Sequence, residues 1–249
     1  MHQPSSVASL AMYPFPALRP ATNELWRAVR THLGWGPEEL EWTVLTPDVW
    51  RHPDLLLAQT CGWPLVTELA DVVVVIGAFD YDIPDAEHGT YRSVIVTPHE
   101  ATFEQVRDMP GVVAAINRTD SLSGWISLRH AWGGQPVDVL ETGAHLESVR
   151  ALAQGRADIA SIDAASWALM RDVVPELVRK LHVVAAGPRV PCLPLVAGDR
   201  HAADLPSLRA AFAAAIADPS AAAACATLRI RGFQPYSLAD YLPLLSLVS

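Results

Sequence analysis

The sequence predicts an α/β fold of two lobes, the second inserted into the first. Three observations carry that prediction. Short apolar runs bounded by turn residues alternate with helical patterns along the chain. The alternation runs once as far as Pro98, restarts, and yields to a last strand and helices after Gly187-Pro188. Of the 249 residues 51% are hydrophobic and 18% charged, the composition of a packed core rather than of a disordered chain. The expected lobes are 1–97 plus 188–249 and, inserted between them, 98–187, each a mainly parallel sheet flanked by helices. Two hinge crossings are expected, near Thr97–Pro98 and Gly187–Pro188, with closure about them and the ligand held between the lobes.

The elements follow in order. Ala8 to Met12 reads as a strand, broken by Pro14 and Pro16. Leu25, Val29 and Leu33 repeat at helical spacing, so a helix is expected from about Thr22 to Leu33, with Gly34 as its stop. Thr43 to Leu45 is a short strand, and Leu55-Leu56-Leu57 leads from a strand into a polar loop. Val72 to Ile76 is five β-branched residues between Asp71 and Gly77, suited to a strand buried on both faces. Arg92 to Thr97 is another, ended by Pro98.

In the inserted block helices are expected at about Thr102–Asp108, Gly124–Trp132, His145–Gln154 and Ala164–Arg171. Strands are expected at Val112–Ile116, Val137–Leu140, Asp158–Ile162 and His182–Ala186, with Gly187-Pro188 a loop. A strand at Leu193–Ala197 follows, then a helix from Asp204 with Leu205, Leu208, Phe212 and Ala215 in register. Asp218-Pro219 starts one more, proline being well tolerated at a first helical position.

Charge and motifs exclude several functions. The net charge of −9 argues against a nucleic-acid partner, which needs a basic face. The apolar stretch Val72 to Phe79 is far shorter than the about 20 residues of a membrane helix, so no membrane insertion is expected. The opening MHQPSSVASLAMY has no basic n-region before an apolar stretch. The chain is therefore expected in the periplasm if a signal was removed, and in the cytoplasm if it is complete as given. Cys61, Cys192 and Cys225 form no metal-binding pattern, which rules out a structural zinc site; a single Cys192–Cys225 bridge stays open. No P-loop, G-x-S-x-G or H-E-x-x-H occurs, and neither metal nor cofactor is expected.

The strand-to-helix turns carry the candidate chemistry. In Asn117-Arg118-Thr119-Asp120-Ser121-Leu122-Ser123-Gly124 a strand gives way to a polar loop and a helix start. The open N–H groups there, with the helix dipole and two hydroxyls, make an anion site without formal positive charge. The plainer reading is that Ser121 or Ser123 only caps the helix. Thr142, Gly143 and His145 form a second such turn, and Asp163 stands at the end of a third strand as cap or as acceptor of a ligand proton. In the first block Gln59 and Thr60 end a strand, while Tyr13 and Tyr91 flank others. Cys61 has no histidine base beside it in sequence and reads as a buried thiol.

These segments resemble the phosphate/phosphite/phosphonate-binding proteins of ABC importers, a two-lobed branch of the periplasmic-binding-protein superfamily. The likeness runs from about Ala8 to Leu245, through SLAMYPFPALRPATNELW, LLLAQTCGWPL, GTYRSVIV, AAINRTDSLSGW, ETGAHLESVRAL, ADIASIDAASWALM and LRIRGFQPYSLADY. The resemblance implies a non-catalytic solute-binding protein for a small oxyanion such as phosphate or a phosphonate, monomeric and served by an ABC permease. It implies that Ser121, Ser123 and the N–H groups of Leu122 and Gly124 hold the ligand oxygens, with His145 and Asp163 beside them. Tyr13 and Tyr91 are the tyrosines available to complete the site from the first lobe. The alternative is a cytoplasmic enzyme or ligand sensor on the same scaffold, of the kind found in menaquinone and thiamine pathways.

Overall fold

The computed structural model describes residues 6–44, 46–136 and 138–248. The chain forms two compact units, 6–90 with 191–244 and 91–190 with 245–248. Ten strands build one five-stranded sheet in each: β1 (Val7–Ser9), β2 (Leu55–Gln59), β3 (Val73–Tyr81), β4 (Thr90–Thr97), β5 (Val113–Ile116), β6 (Asp138–Glu141), β7 (Ile159–Ile162), β8 (His182–Pro191), β9 (Pro194–Gly198) and β10 (Ile230–Gln234).

The first sheet has the order β1-β2-β9-β3-β10. Its β1–β2 ladder is parallel, but β2–β9, β9–β3 and β3–β10 are antiparallel. This corrects the expectation of a mainly parallel sheet: β9 follows the nested unit in sequence and runs against both its neighbours. All five residues of β2 are buried, as suits a strand covered on both faces. The helix Arg19–Leu33 turns Leu25, Trp26 and Val29 inward and ends at Gly34, whose φ of 82° supplies the left-handed stop. Phe212, from the helix Leu205–Ala217, is fully buried, stacked on Phe233 and edge-on to Phe79.

Gly77 is not the strand stop it was expected to be, since β3 continues through it to Tyr81. A Cβ there would lie 2.3 Å from the Gln234 carbonyl oxygen and 2.4 Å from the Phe233 ring. The missing side chain lets β10 approach, and β10 itself was not anticipated. Gly77→Ala is expected to loosen the β3–β10 ladder at about 1–3 kcal/mol, the usual cost of overpacking. A thermal melt of the variant, lower by several degrees, checks this.

The second sheet, β6-β5-β7-β4-β8, is mixed as well: β5 pairs parallel with β6 and β7, while β4 runs antiparallel to β7. Its core joins Ile95, Val96, Ala114, Ile116, Ile159 and Ile162 with Leu128, Val149, Leu152 and Met170 from the helices. The expected loop at Gly187-Pro188 lies inside β8, which occupies the sheet edge, where a proline costs no ladder hydrogen bond. Because β4 and β8 both belong to this sheet, the units divide at Thr90/Tyr91 and Val190/Pro191, some seven and three residues from the expected crossings.

Other differences are local. β1 is shorter than Ala8–Met12. Thr43 and Val44 form a bend in which their N–H groups donate to the Glu41 carboxylate, so the strand expected there is absent as far as Val44; Leu45 lies outside the described residues. Val137, the expected start of a strand, also lies outside them, and β6 is described from Asp138. Cys61, Cys192 and Cys225 are buried thiols in no disulfide, so Cys192 and Cys225 are not bridged. Among the described residues no single helix is long and apolar enough to cross a membrane, and no cluster of His, Cys, Asp or Glu is able to hold a metal.

Candidate functional site

In the nested unit three strand ends feed three helix starts. After β5 the chain passes through Asn117 to Ser121, which begins a wide turn, Leu122–Ile126, running on into the helix Ser127–Trp132. The Ser121 carbonyl accepts from both Trp125 N–H and Ile126 N–H, the second an i→i+5 bond of the kind that often marks functional sites. Ser121 Oγ accepts from Gly124 N–H at 3.0 Å. Of the two expected roles Ser121 therefore fills the cap, and the Gly124 N–H assigned to a ligand is already engaged. The N–H groups of Leu122 and Ser123, in the first turn, have no intrahelical carbonyl to meet.

Ser123 is placed differently. Its Oγ lies 2.8 Å from His145 Nε2, and its carbonyl accepts from Ser161 Oγ at 2.6 Å. His145 Nδ1 is buried and has no partner among the described residues. A buried N–H left unpaired costs more than an unused lone pair, so the tautomer with the proton on Nε2 is favoured. His145 then donates to Ser123 Oγ, and the serine hydroxyl proton is directed elsewhere. Burial pushes the His145 imidazole below its usual range, opposed by the charge of Asp163. The ring is thus a neutral donor.

The folded chain resists protonation at His145 and the unfolded chain does not, so stability falls as pH drops below about 6.5. His145→Gln is expected to remove that part of the fall. Denaturation midpoints at neutral and mildly acidic pH, compared between variant and parent, measure it.

Asp163 is 2% exposed and caps the helix Ala164–Val173, its Oδ1 accepting from Ser166 N–H at 2.7 Å. Its other oxygen accepts a short hydrogen bond from Tyr91 Oη. Tyr91 thus belongs to the nested unit, on β4, and not to the first lobe as expected. Thr142 Oγ1 meets the carbonyls of Ile116 and Ala144 and the hydroxyl of Ser148, so it braces its own turn. The carbonyls of Ile116 and Asn117 accept from Thr142 N–H and Gly143 N–H, lacing the two turns together.

Asn117 was not foreseen. Its Oδ1 is buried without a partner among the described residues, and a Cβ on Gly124 would lie 1.9 Å from it. Only glycine fits at 124 with Asn117 in place. Gly124→Ala is expected to displace Asn117 and the Leu122–Ile126 turn at about 1–3 kcal/mol. Restoration of stability by a second change, Asn117→Ala, checks that this contact is the cause.

In the first unit, Gln59 Nε2 donates to Tyr81 Oη at 3.2 Å, and Tyr13 meets the Tyr81 ring edge-on at 6.0 Å. Tyr81, which the sequence did not single out, is thus the point where the Tyr13 and Gln59 side chains converge. Thr60 is wholly buried, its hydroxyl directed to the Cys61 carbonyl.

The nested unit therefore offers an anion a serine hydroxyl, freed by its neutral imidazole neighbour, and first-turn N–H groups. Two mixed sheets flanked by helices and laid down in this nested order define a solute-binding fold. It matches a binding component of an ABC phosphonate transporter from Pseudomonas aeruginosa with a TM-score of 0.78, at 16% identity over 98% of this chain and 86% of that one. It matches PhnD1 of Prochlorococcus marinus, solved with methylphosphonate, with a TM-score of 0.78 at 15% identity over 98% and 97%. A Xanthomonas citri protein solved with ATP is similar at 0.67 and 14% identity, over 98% and 95%. No curated protein matches. The model of a family described as ABC transporter, phosphonate, periplasmic substrate-binding protein matches residues 53–241, and the chain belongs to that family. Such proteins bind a small ligand and work with a permease.

Proposed function

We propose that this protein binds a phosphonate or phosphate monoanion or dianion for uptake and releases it chemically unchanged. The observation that carries the reading is the Ser123–His145 pair. The imidazole donates to Ser123 Oγ, which leaves the hydroxyl proton for a ligand oxygen beside the first-turn N–H groups of Leu122 and Ser123. Asp163, held by the Tyr91 hydroxyl that donates to it, keeps lone pairs to accept a proton from the ligand, and Tyr91 orients that carboxylate. Within the first unit Tyr13 and Gln59 are the residues proposed for ligand binding, while Thr60 and Thr142 serve the fold.

What supports a binder over an enzyme is the missing third member of a catalytic series. A serine–histidine pair becomes a nucleophile when a carboxylate orients the ring. Here Nδ1 has no partner among the described residues, and the Asp163 oxygens accept from Tyr91 and from Ser166 N–H. Neutral donors aimed at an anion stabilise its ground state as readily as any transition state, which gives affinity without rate. A monomer exchanging with a permease is the assembly this reading calls for.

Isothermal titration of the purified chain with methylphosphonate and with phosphate is the test, followed by mass spectrometry of the recovered small molecule. One ligand bound per chain and returned intact is expected. Failure of both to bind sinks the ligand class, and protein-dependent conversion lost in His145→Ala sinks the non-catalytic role.

A further inference from the structure

We propose a second anion site in the nested unit, at the opposite end of the helix Ala164–Val173 from Asp163. It would take an organic anion whose charged head meets Arg171 and Arg179 and whose flat apolar body lies against Trp167. A cavity of 430 Å³ opens there, within the range of small-molecule sites. Trp167 and Arg171, one turn apart, present the same helix face to it, and Arg179 enters from beyond the short helix Pro175–Val178. Val178 and Val183 complete an apolar wall, with Val183 half-exposed.

The charge argument is specific to this place. The protein carries −9 overall, yet two guanidinium groups and no carboxylate line this cavity. Asp172 and Glu176 lie in the same stretch of chain but outside the lining. Among the described residues neither Arg171 nor Arg179 is ion-paired or hydrogen-bonded through its side chain. An unpaired guanidinium matches carboxylate or phosphate oxygens in a fork, and its plane tolerates an aromatic neighbour. Arg171 stands eight residues, about 12 Å along the helix, from Asp163, so one small oxyanion does not reach both. A phosphonate of a few atoms also leaves most of such a cavity empty.

The experiment uses the full chain with 2-naphthoate as probe and its neutral analogue, 2-naphthalenemethanol, as control. The readout is the Trp167 indole N–H resonance, assigned by its loss in Trp167→Phe. A saturable shift with 2-naphthoate is expected, weakened at least about tenfold in the Arg171→Gln/Arg179→Gln double variant and similarly for the neutral analogue. Both arginines are exposed, so the double variant is expected to keep its other indole resonances unmoved. Excess methylphosphonate should leave the shift in place. The proposal is overturned by no saturable shift up to about 10 mM. Equal binding of the neutral analogue or to the double variant overturns it too, as does displacement by methylphosphonate, which would put the probe in the Ser123 site.

Discussion

Ser123→Ala is expected to weaken methylphosphonate binding by roughly one to two decades, measured by titration calorimetry. A hydrogen bond to a charged group is worth about 1.5–3 kcal/mol, and Ser123 is the hydroxyl whose proton the His145 contact sets free. The helix cap is untouched, because Ser121 makes it, so a lost cap cannot account for the result. Removing Oγ also strands His145 Nε2–H, and a modest fall in melting temperature should accompany the loss of affinity. Ser121→Ala gives the contrast: it removes the cap at about 1 kcal/mol and acts on the ligand only through the position of the turn. Unchanged affinity in Ser123→Ala, with wild-type binding established, would remove Ser123 from the site.

Phe212→Ala is expected to cost about 3–5 kcal/mol, the range for a fully buried phenylalanine. The ring is held between Phe233 on β10 and Phe79 on β3, so its loss opens a void against two strands at once. At a few degrees per kcal/mol for chains of this length, the melting temperature should fall by roughly 10 °C. A loss within about 1 kcal/mol would mean that the helix Leu205–Ala217 collapses onto the void. Urea unfolding followed by tryptophan fluorescence and by circular dichroism measures the cost and reveals whether the two units melt together.

The strand-to-helix turns around Ser121–Gly124 and Thr142–His145 were legible because each is a local event: an apolar run, a polar loop, a helix start. Helix Arg19–Leu33 was legible from its spacing and its glycine. What local pattern could not supply was partnership across the chain. Gly77 reads as a stop until Phe233 and Gln234 lie against it, and Gly187-Pro188 reads as a loop until β8 is known to be an edge. The parallel assumption failed for the same reason, since nothing near Pro194 says that β9 will slot between β2 and β3. Tyr81, Asn117 and Ser161 gain their roles wholly from residues 22, 7 and 38 positions away. Tyr91 was visible as a candidate but assigned to the wrong unit, because its partner Asp163 lies 72 residues on.

The place of β9 also bears on how the polypeptide matures as it leaves the ribosome. The nested unit is almost one continuous stretch, and its strands find partners without waiting for the residues after Pro191. The first unit has no such freedom. Until residues 194–198 have been made, β2 and β3 expose unsatisfied edges with no strand to fill the gap between them. Contacts of such long sequence separation form slowly, and apolar β2 and β3 are in the meantime the segments most open to chaperones or to aggregation. A nascent chain stalled with residue 190 just clear of the ribosome should therefore carry a protease-resistant fragment from the nested unit, while Leu55–Tyr81 is cut freely.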